Sequence, residues 1–220
     1  MAVVRILGID PGTLVVGFGC LEISIDGSRL GGGVVPLALR ASNVVRAGGG
    51  DGGVRLVAAG VMRLGGREAP LPVRLLALAR QFRALLGDVV PSELAVEQAF
   101  HGKSVQAALR IGEARGVVLA EAAAAGVEVH QFAPARVKRC VTGSGAAGKE
   151  QVAAMIRQML RAADAATVDG LPADATDAVA IAWTRLEARR SPLLGLADDV
   201  GRDGASLPRR RHCNSAEDGL

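Results

Sequence analysis

The chain has 220 residues, a formal net charge of +4, and a hydrophobic fraction of 50% of which little is aromatic. This length suits one sizeable domain and excludes two full ones, and no apolar run reaches the roughly 18 residues of a membrane span. The N-terminal sequence lacks the layout of a signal peptide, and the scattered Cys20, Cys140 and Cys213 form neither a disulfide framework nor a CxxC metal pair. We therefore expect a cytoplasmic protein whose basic balance permits nucleic-acid binding.

The first part of the chain predicts strands. Residues 3–10 predict a buried strand and residues 17–25 its hairpin partner, because Pro11 and Gly12 form a turn signal between them. The glycine-rich stretch from about 27 to 55 predicts a flexible insertion with one weak strand near 34–41, and residues 54–64 predict a further strand.

Helices and strands alternate in the rest of the chain. Residues 72–87 predict an amphipathic helix with Arg74, Arg80 and Arg83 on its polar face. The later predicted elements are a strand at 94–98, a helix at about 103–125, a strand at 127–132, and helices at 134–141, 149–162 and 173–189. This order predicts one α/β domain over residues 1–189, with a mixed central sheet flanked by helices, and a disordered tail over residues 190–220.

Four carboxylates lie in apolar surroundings. Asp10 ends the first predicted strand, Glu97 lies in the apolar run ELAVEQAF, and Asp174 and Asp177 share one face of the last predicted helix. Burying an unpaired charge is costly, so these acids need a partner. Oxygen ligands of this kind suit Mg²⁺, which is usually completed by water and substrate phosphate, and this favours phosphodiester chemistry.

Other interpretations of these motifs stay open. Asp10 could simply begin a Pro-Gly turn, and Asp174 with Asp177 could be the N-cap and N3 residues of a helix. GSGAAGK at 143–149 matches a nucleotide-binding P-loop, although Glu150 stands where Ser or Thr would bind Mg²⁺. GIDPGT is also similar to the first phosphate loop of actin-like kinases, for which the chain leaves little room.

Two further patterns concern cations and helix packing. The 26 basic residues include only three lysines, Lys103, Lys138 and Lys149, which lie close together in the sequence and suggest a need for a compact ammonium group. The long helix carries small residues at a spacing of four, which would let another backbone approach either from the chain's own sheet or from a second subunit. The stripe comprises Ala108, Gly112, Gly116, Ala120 and Ala124.

Taken in order, five segments resemble the RuvC family of Holliday-junction resolvases: GIDPG, VEQAF, SVQAALRIGEARGVVLAEA, APARVKRCVTGSGAAGKEQVAAMI and DATDAVAIA. The resemblance covers residues 4–26 and roughly 60–186. It implies an RNase H-like fold, a homodimer and four-way junction DNA as the substrate in recombination and repair. It also implies a RuvAB-like branch-migration complex as a partner.

The resemblance also assigns roles to residues. It implies that two Mg²⁺ ions per subunit, with Mn²⁺ as a substitute, are held by the four acids Asp10, Glu97, Asp174 and Asp177. Lys138 and Lys149 match the family's basic residues near the scissile phosphate, and Phe100 matches an aromatic that contacts bases at the junction centre. We further expect Lys103 and Arg110 to contact DNA.

These roles imply an in-line displacement with two metal ions, which gives 5′-phosphate and 3′-hydroxyl ends and paired nicks in strands of like polarity. The chain departs from the family pattern in the insertion at 27–55 and at residues 104–107, where Ser, Val, Gln and Ala replace the usual Asn and Ser. An RNA-directed nuclease of the same fold and a non-catalytic junction-binding protein are the alternative functions.

Overall fold

The computed structural model describes residues 3–24, 42–45, 54–98 and 105–190, with backbone alone at 42–45 and 161–169. No helix within these ranges is long and apolar enough to cross a membrane. In chain order the elements are β1 (Val3–Asp10), β2 (Val15–Ser24), β3 (Ser42–Val45), β4 (Val54–Arg63), α1 (Leu71–Val89), β5 (Glu93–Glu97), α2 (Val105–Ala124), β6 (Glu128–Phe132), α3 (Pro134–Thr142), α4 (Lys149–Asp169) and α5 (Ala173–Arg190).

The described strands form one six-stranded sheet in the order β3-β4-β2-β1-β5-β6. The β1-β2, β2-β4 and β3-β4 pairs are antiparallel, whereas β5 runs parallel to both β1 and β6. The prediction of a mixed α/β sheet is therefore confirmed. Because β1 and β5 are parallel neighbours, their carboxyl ends meet at one edge of the sheet.

Each face of the sheet has its own apolar core. Val4 and Ile6 of β1 pack in a cluster with residues of α3, α4 and α5, whereas Leu7 and Ile9 pack in a second cluster with residues of α1 and α2. Successive side chains of a strand point to opposite faces, so the even-numbered positions of β1 face α5. Asp10, the last residue of β1, is therefore directed to the α5 side.

Helix α5 lies unusually close to the sheet, and glycines in β1 and β2 permit this approach. A Cβ at Gly8 would lie 2.0 Å from the Ala178 carbonyl oxygen, and one at Gly17 would lie 1.9 Å from the Asp174 carbonyl oxygen. Gly19 would meet Val179 at 2.4 Å. Residues with side chains here would push α5 away from the strands that it covers.

Buried carboxylates away from the sheet's carboxyl edge have arginine partners. Glu22 on β2 accepts hydrogen bonds from Arg5 and Arg55, with an Arg5 Nε to Glu22 Oε2 distance of 2.8 Å. Burial favours the protonated acid, but the two guanidinium groups outweigh it and lower the pKa of Glu22. Glu93 at the start of β5 is held in the same way by two arginines of α5, Arg185 and Arg189.

One predicted helix end was wrong, and two other predicted segments lie largely outside the described residues. Helix α4 extends to Asp169, seven residues beyond the predicted end at 162. The predicted strand near 34–41 lies outside the described residues, whereas β3 at Ser42–Val45 falls inside the segment predicted to be an insertion. The predicted tail at 190–220 is also almost wholly outside the described residues, so the domain bounds stay a prediction.

The polar face predicted for α1 was wrong at one position. Arg74 is buried, whereas Val73 and Leu76 on the same helix are 55% and 48% exposed. Arg74 donates hydrogen bonds to the carbonyl oxygens of Thr13, at 2.8 Å, and Ala69, at 3.1 Å. A buried guanidinium with two main-chain acceptors supports the loop that follows Asp10.

The small-residue stripe of α2 does not pack against the chain's own sheet. The helix instead buries Ala114, Val118 and Ala122. A Cβ at Gly112 or Gly116 would meet nothing within 4 Å in the described structure. The first of the two alternatives for the stripe is therefore wrong.

We expect Gly8→Ala to destabilise the protein by about 1–3 kcal/mol or more, because the added methyl group would overlap the Ala178 carbonyl oxygen of α5. Urea unfolding monitored by circular dichroism would measure the change. Gly87→Ala is the matched control: a Cβ at this exposed helical glycine contacts nothing, so we expect it to be neutral or stabilising by about 0.5–1 kcal/mol. Equal stability of the two variants would contradict the close approach of α5.

Candidate active site

Asp10 and Glu97 end two neighbouring parallel strands. The register pairs Ile9 with Val96, so Asp10 and Glu97 are the next residues along β1 and β5 at the same edge of the sheet. Ala95 of β5 packs in the core cluster on the α5 side, and strand periodicity directs Glu97, two residues later, to that side as well. The two carboxylates therefore share one edge and one face of the sheet.

The first turns of α5 bring the other two acids to this edge. Gly17 pairs with Asp10 across the β1-β2 hairpin and lies against the main chain of Asp174. Asp177 follows one turn later, and its carboxylate influences the protonation of both Asp10 and Glu97. The structure thus brings together all four acids that the sequence predicted for the site.

Two lysines predicted for the site also lie near these acids. Lys149, the first residue of α4, places its Nζ 3.1 Å from Asp177 Oδ2 while its side chain stays 80% exposed. The hydrogen bond to Asp177 raises the pKa of the Lys149 ammonium. Lys138 of α3 is close enough for its charge to favour ionisation of Glu97. An exposed ammonium hydrogen-bonded to Asp177 can turn toward a bound phosphate.

Burial and neighbouring carboxylates disfavour the ionised forms of Asp10 and Glu97. Burial first, and then the charges of Glu97 and Asp177, raise the pKa of Asp10 to about 7. Burial and the charge of Asp177 also raise the pKa of Glu97, although Lys149 and Lys138 oppose this. Additional positive charge nearby would favour the ionised forms of both groups.

The chemistry of the four carboxylates suits a divalent cation. Within the described ranges neither Asp10 nor Glu97 has an arginine ion pair, in contrast to the buried Glu22 and Glu93. Carboxylate oxygens are the ligands that Mg²⁺ and Mn²⁺ prefer, and such sites usually leave positions for water and phosphate. A cation would offset the charge that raises the pKa of Asp10.

A second acidic group lies elsewhere. Glu93, Glu128 and His130 have potential ligand atoms within 4.8 Å of one another. They lie toward the amino ends of β5 and β6, away from the edge that carries Glu97. The ion pairs of Arg185 and Arg189 with Glu93 already neutralise this group, so we assign it a structural role.

Sequence reasoning missed two arginines that support the site. Arg74 holds the carbonyl oxygen of Thr13 in the loop after Asp10. Arg115 of α2 donates from Nε to the Glu97 carbonyl oxygen at 3.2 Å and from Nη2 to the Gln131 side chain. Both bonds join residues far apart in sequence, and no local pattern separates these arginines from the other arginines of the chain.

The remaining predicted residues fall into two groups. Phe100 and Lys103 lie outside the described residues, and Arg110 lies exposed on α2. The P-loop interpretation of residues 143–149 was wrong in its context, because the loop follows helix α3 and not a strand. Its glycines connect α3 to α4 and place Lys149 at the start of α4.

Comparison with known proteins agrees with this geometry. A family model described as crossover junction endodeoxyribonuclease RuvC matches residues 33–185, a range that includes Glu97, Asp174 and Asp177 but begins after Asp10. The relative of that name from Bradyrhizobium diazoefficiens is 36% identical over 88% of this chain and 92% of its own. The one from Chloroflexus aggregans is 38% identical over 81% of this chain and 90% of its own.

Solved structures give the same result for the fold. The structure of Thermus thermophilus RuvC covers 86% of this chain and 96% of its own, with a TM-score of 0.63 and 27% identity. The same protein in complex with a Holliday junction substrate matches with a TM-score of 0.62 and 25% identity, over 84% and 95% of the two chains. The predicted RNase H-like fold is confirmed, and the chain belongs to the RuvC family of crossover junction endodeoxyribonucleases.

Proposed function

We propose that this protein resolves four-way DNA junctions by paired, symmetric nicks, with Asp10, Glu97, Asp174 and Asp177 as ligands of Mg²⁺. The observation that carries the proposal is the convergence of four carboxylates at the carboxyl edge of β1 and β5, where burial and mutual repulsion raise the pKa of Asp10 to about 7. Membership of the RuvC family and the likeness to a relative bound to a Holliday junction support DNA over RNA as the substrate.

Each residue has a chemical role in this proposal. Two bound Mg²⁺ ions, replaceable by Mn²⁺, would supply Lewis acidity at the scissile phosphate and a water of lowered pKa. The four acids fix the positions of the ions relative to the sheet edge. Lys149 and Lys138 would offset the charge that develops on the phosphate oxygens, and the products would carry 5′-phosphate and 3′-hydroxyl ends.

Two cuts in one junction require two sites, and α2 offers a surface for a second copy of the chain. Val105 and Leu109 are 73% and 64% exposed, and Ile111 is 38% exposed on the same helix. The half-buried Gly112 and the exposed Gly116 of the stripe would let a second backbone approach closely. A two-fold dimer through α2 would hold two sites in fixed relation, as symmetric cutting demands.

Other parts of the proposal rest on family resemblance, as for Phe100, or on the sequence alone, as for Lys103 and Arg110. Phe100 would stack on an unpaired base at the junction centre, and Lys103 and Arg110 would contact the DNA backbone. A RuvAB-like complex as a partner and a cytoplasmic location stay predictions. A non-catalytic binding protein would not need four carboxylates that repel one another, and this disfavours that alternative.

Asp10→Asn is expected to reduce cleavage of a synthetic mobile four-way junction by at least about 10³-fold while leaving junction binding within about twofold, because the amide is a poor ligand for Mg²⁺. Gel assays of cleavage with Mg²⁺ or EDTA, together with binding in EDTA, would measure both effects. Wild type should cut both strands of like polarity within one bound lifetime and be inactive in EDTA.

Glu128→Gln is the matched control for that experiment, since it removes a carboxylate from the second acidic group at the other end of the strands. It should cut at the wild-type rate with the wild-type Mg²⁺ requirement. If Glu128→Gln lost cleavage while Asp10→Asn cut normally, the catalytic metal would lie at the group of Glu93, Glu128 and His130. That result would reject Asp10 as a metal ligand. Preferential cutting of an RNA duplex would favour the alternative substrate.

In EDTA at pH 8, Asp10→Asn is expected to raise the free energy of unfolding by about 2 kcal/mol, with a smaller gain at pH 5. The pKa of Asp10 is 3.8 unperturbed and about 7 in the folded protein, so folding retains a proton that the unfolded chain releases between these values. Stability from this group is therefore present at low pH and lost as the pH rises through this window. Chemical denaturation at both pH values would measure the gain.

Mg²⁺ should stabilise the wild type at pH 8 and should stabilise Asp10→Asn much less. The cation neutralises the negative charge of Asp10, and the substitution has already removed that charge. Equal gains from Asp10→Asn at pH 5 and pH 8 would show that the ionised carboxylate does not destabilise the metal-free fold. That result would contradict the electrostatic basis of the site.

A further inference from the structure

A side chain of helix α2, Arg115, contacts the end of the strand that carries Glu97. Arg115 donates a hydrogen bond from Nε to the main-chain oxygen of Glu97 at 3.2 Å. Its Nη2 donates to the Oε1 atom of Gln131, on the neighbouring strand β6. The guanidinium thus joins the ends of β5 and β6 from the sheet face that α2 covers, opposite the face toward which Glu97 points.

The position of this bond matters because the sheet gives Glu97 little support. The register between β1 and β5 ends at the Ile9–Val96 pair, one residue before Glu97. On the β6 side, Glu97 pairs with Phe132, and Gln98 donates its main-chain N–H to the Phe132 oxygen at 2.9 Å. The direction in which the Glu97 carboxylate leaves the strand is therefore set on one side by β6 and on the other by Arg115.

Arg115, like Arg74, donates to neutral acceptors and not to a carboxylate. Glu22 and Glu93 each receive two arginines as charge partners, whereas Arg115 is bonded to one main-chain carbonyl and one neutral amide. Burial lowers the pKa of Arg115, because the charged guanidinium loses part of its hydration. The two neutral acceptors compensate for this loss less than a carboxylate in an ion pair would. The planar fork spans two acceptors at fixed geometry, which an ammonium could not do.

We propose that Arg115 is a positioning residue for Glu97: by holding the end of β5 against β6, it fixes the Glu97 carboxylate in the direction that metal binding requires. The inference rests on the proposed function, in which Glu97 is a metal ligand. Removing a residue that hydrogen-bonds to a metal ligand typically lowers metal affinity or activity by about 10- to 100-fold. Because Arg115 belongs to α2, the helix proposed for the dimer also fixes a ligand of the metal.

Arg115→Met tests this proposal, because it keeps the length of the side chain and removes both donors. Mn²⁺ binding to the DNA-free protein, followed by electron paramagnetic resonance of the free ion, should weaken about tenfold. The Mg²⁺ concentration for half-maximal cleavage should rise by a similar factor, while junction affinity in EDTA stays within about twofold. Arg115→Lys, with one donor site in place of the fork, should lie between wild type and Arg115→Met.

Arg83→Met is the matched control. Arg83 lies on α1 and also reaches α2, where it is ion-paired with Glu121 at 2.5 Å and is 63% exposed. The same substitution there removes an arginine contact with the same helix, so it should leave Mn²⁺ affinity and the Mg²⁺ requirement at wild-type values. A loss in both arginine variants would indicate a general effect of α2 packing and would overturn the positioning role.

Two other results would overturn the proposal. Wild-type Mn²⁺ affinity in Arg115→Met would show that the hydrogen bond does not set the ligand geometry, and a fall in junction affinity proportional to the loss of cleavage would make Arg115 a DNA contact. If Arg115→Met does not fold, Gln131→Leu decides instead: it removes the second acceptor and should weaken Mn²⁺ binding, and unchanged binding would reject the proposal. Because the Mn²⁺ measurement needs no DNA, it decides the positioning role even if junctions prove not to be the substrate.

Discussion

The contact of α5 with β1 and β2 is the constraint on which the site depends. Gly8, Gly17 and Gly19 place no side chain against the helix at their positions, so the α5 main chain lies close to the sheet there. This contact places the first turns of α5 at the edge where β1 and β5 end. Two acids of a helix thereby meet two acids of neighbouring strands.

The buried acids outside the candidate site have arginine partners, and this distinguishes them from Asp10 and Glu97. Glu22 and Glu93 are buried and neutralised by arginines, which makes them part of the folded core. Asp10 and Glu97 have raised pKa values, and Lys149, one of the two lysines near them, is hydrogen-bonded to Asp177 and largely exposed. Glu22 and Glu93 are neutralised by arginines, whereas we propose that a metal cation, which also binds substrate phosphate, neutralises Asp10 and Glu97.

Sequence reasoning anticipated the features that follow from local pattern. An acid at the end of an apolar strand, as with Asp10 and Glu97, can be recognised from hydrophobic periodicity, and the spacing of Asp174 and Asp177 gives one helix face. The arginines could not be placed in this way. Arg74 fits the polar stripe of an amphipathic helix, yet it is buried because two carbonyl oxygens outside the helix accept its hydrogen bonds. Arg115 likewise has partners that only the folded sheet brings close.

Crystals of the protein soaked with Mn²⁺ would test the central claim most directly, through the anomalous signal of the ion. We expect Mn²⁺ among Asp10, Glu97, Asp174 and Asp177, with the Lys149 ammonium moved away from Asp177. Anomalous density at Glu93, Glu128 and His130, with the Lys149–Asp177 ion pair intact, would contradict the account.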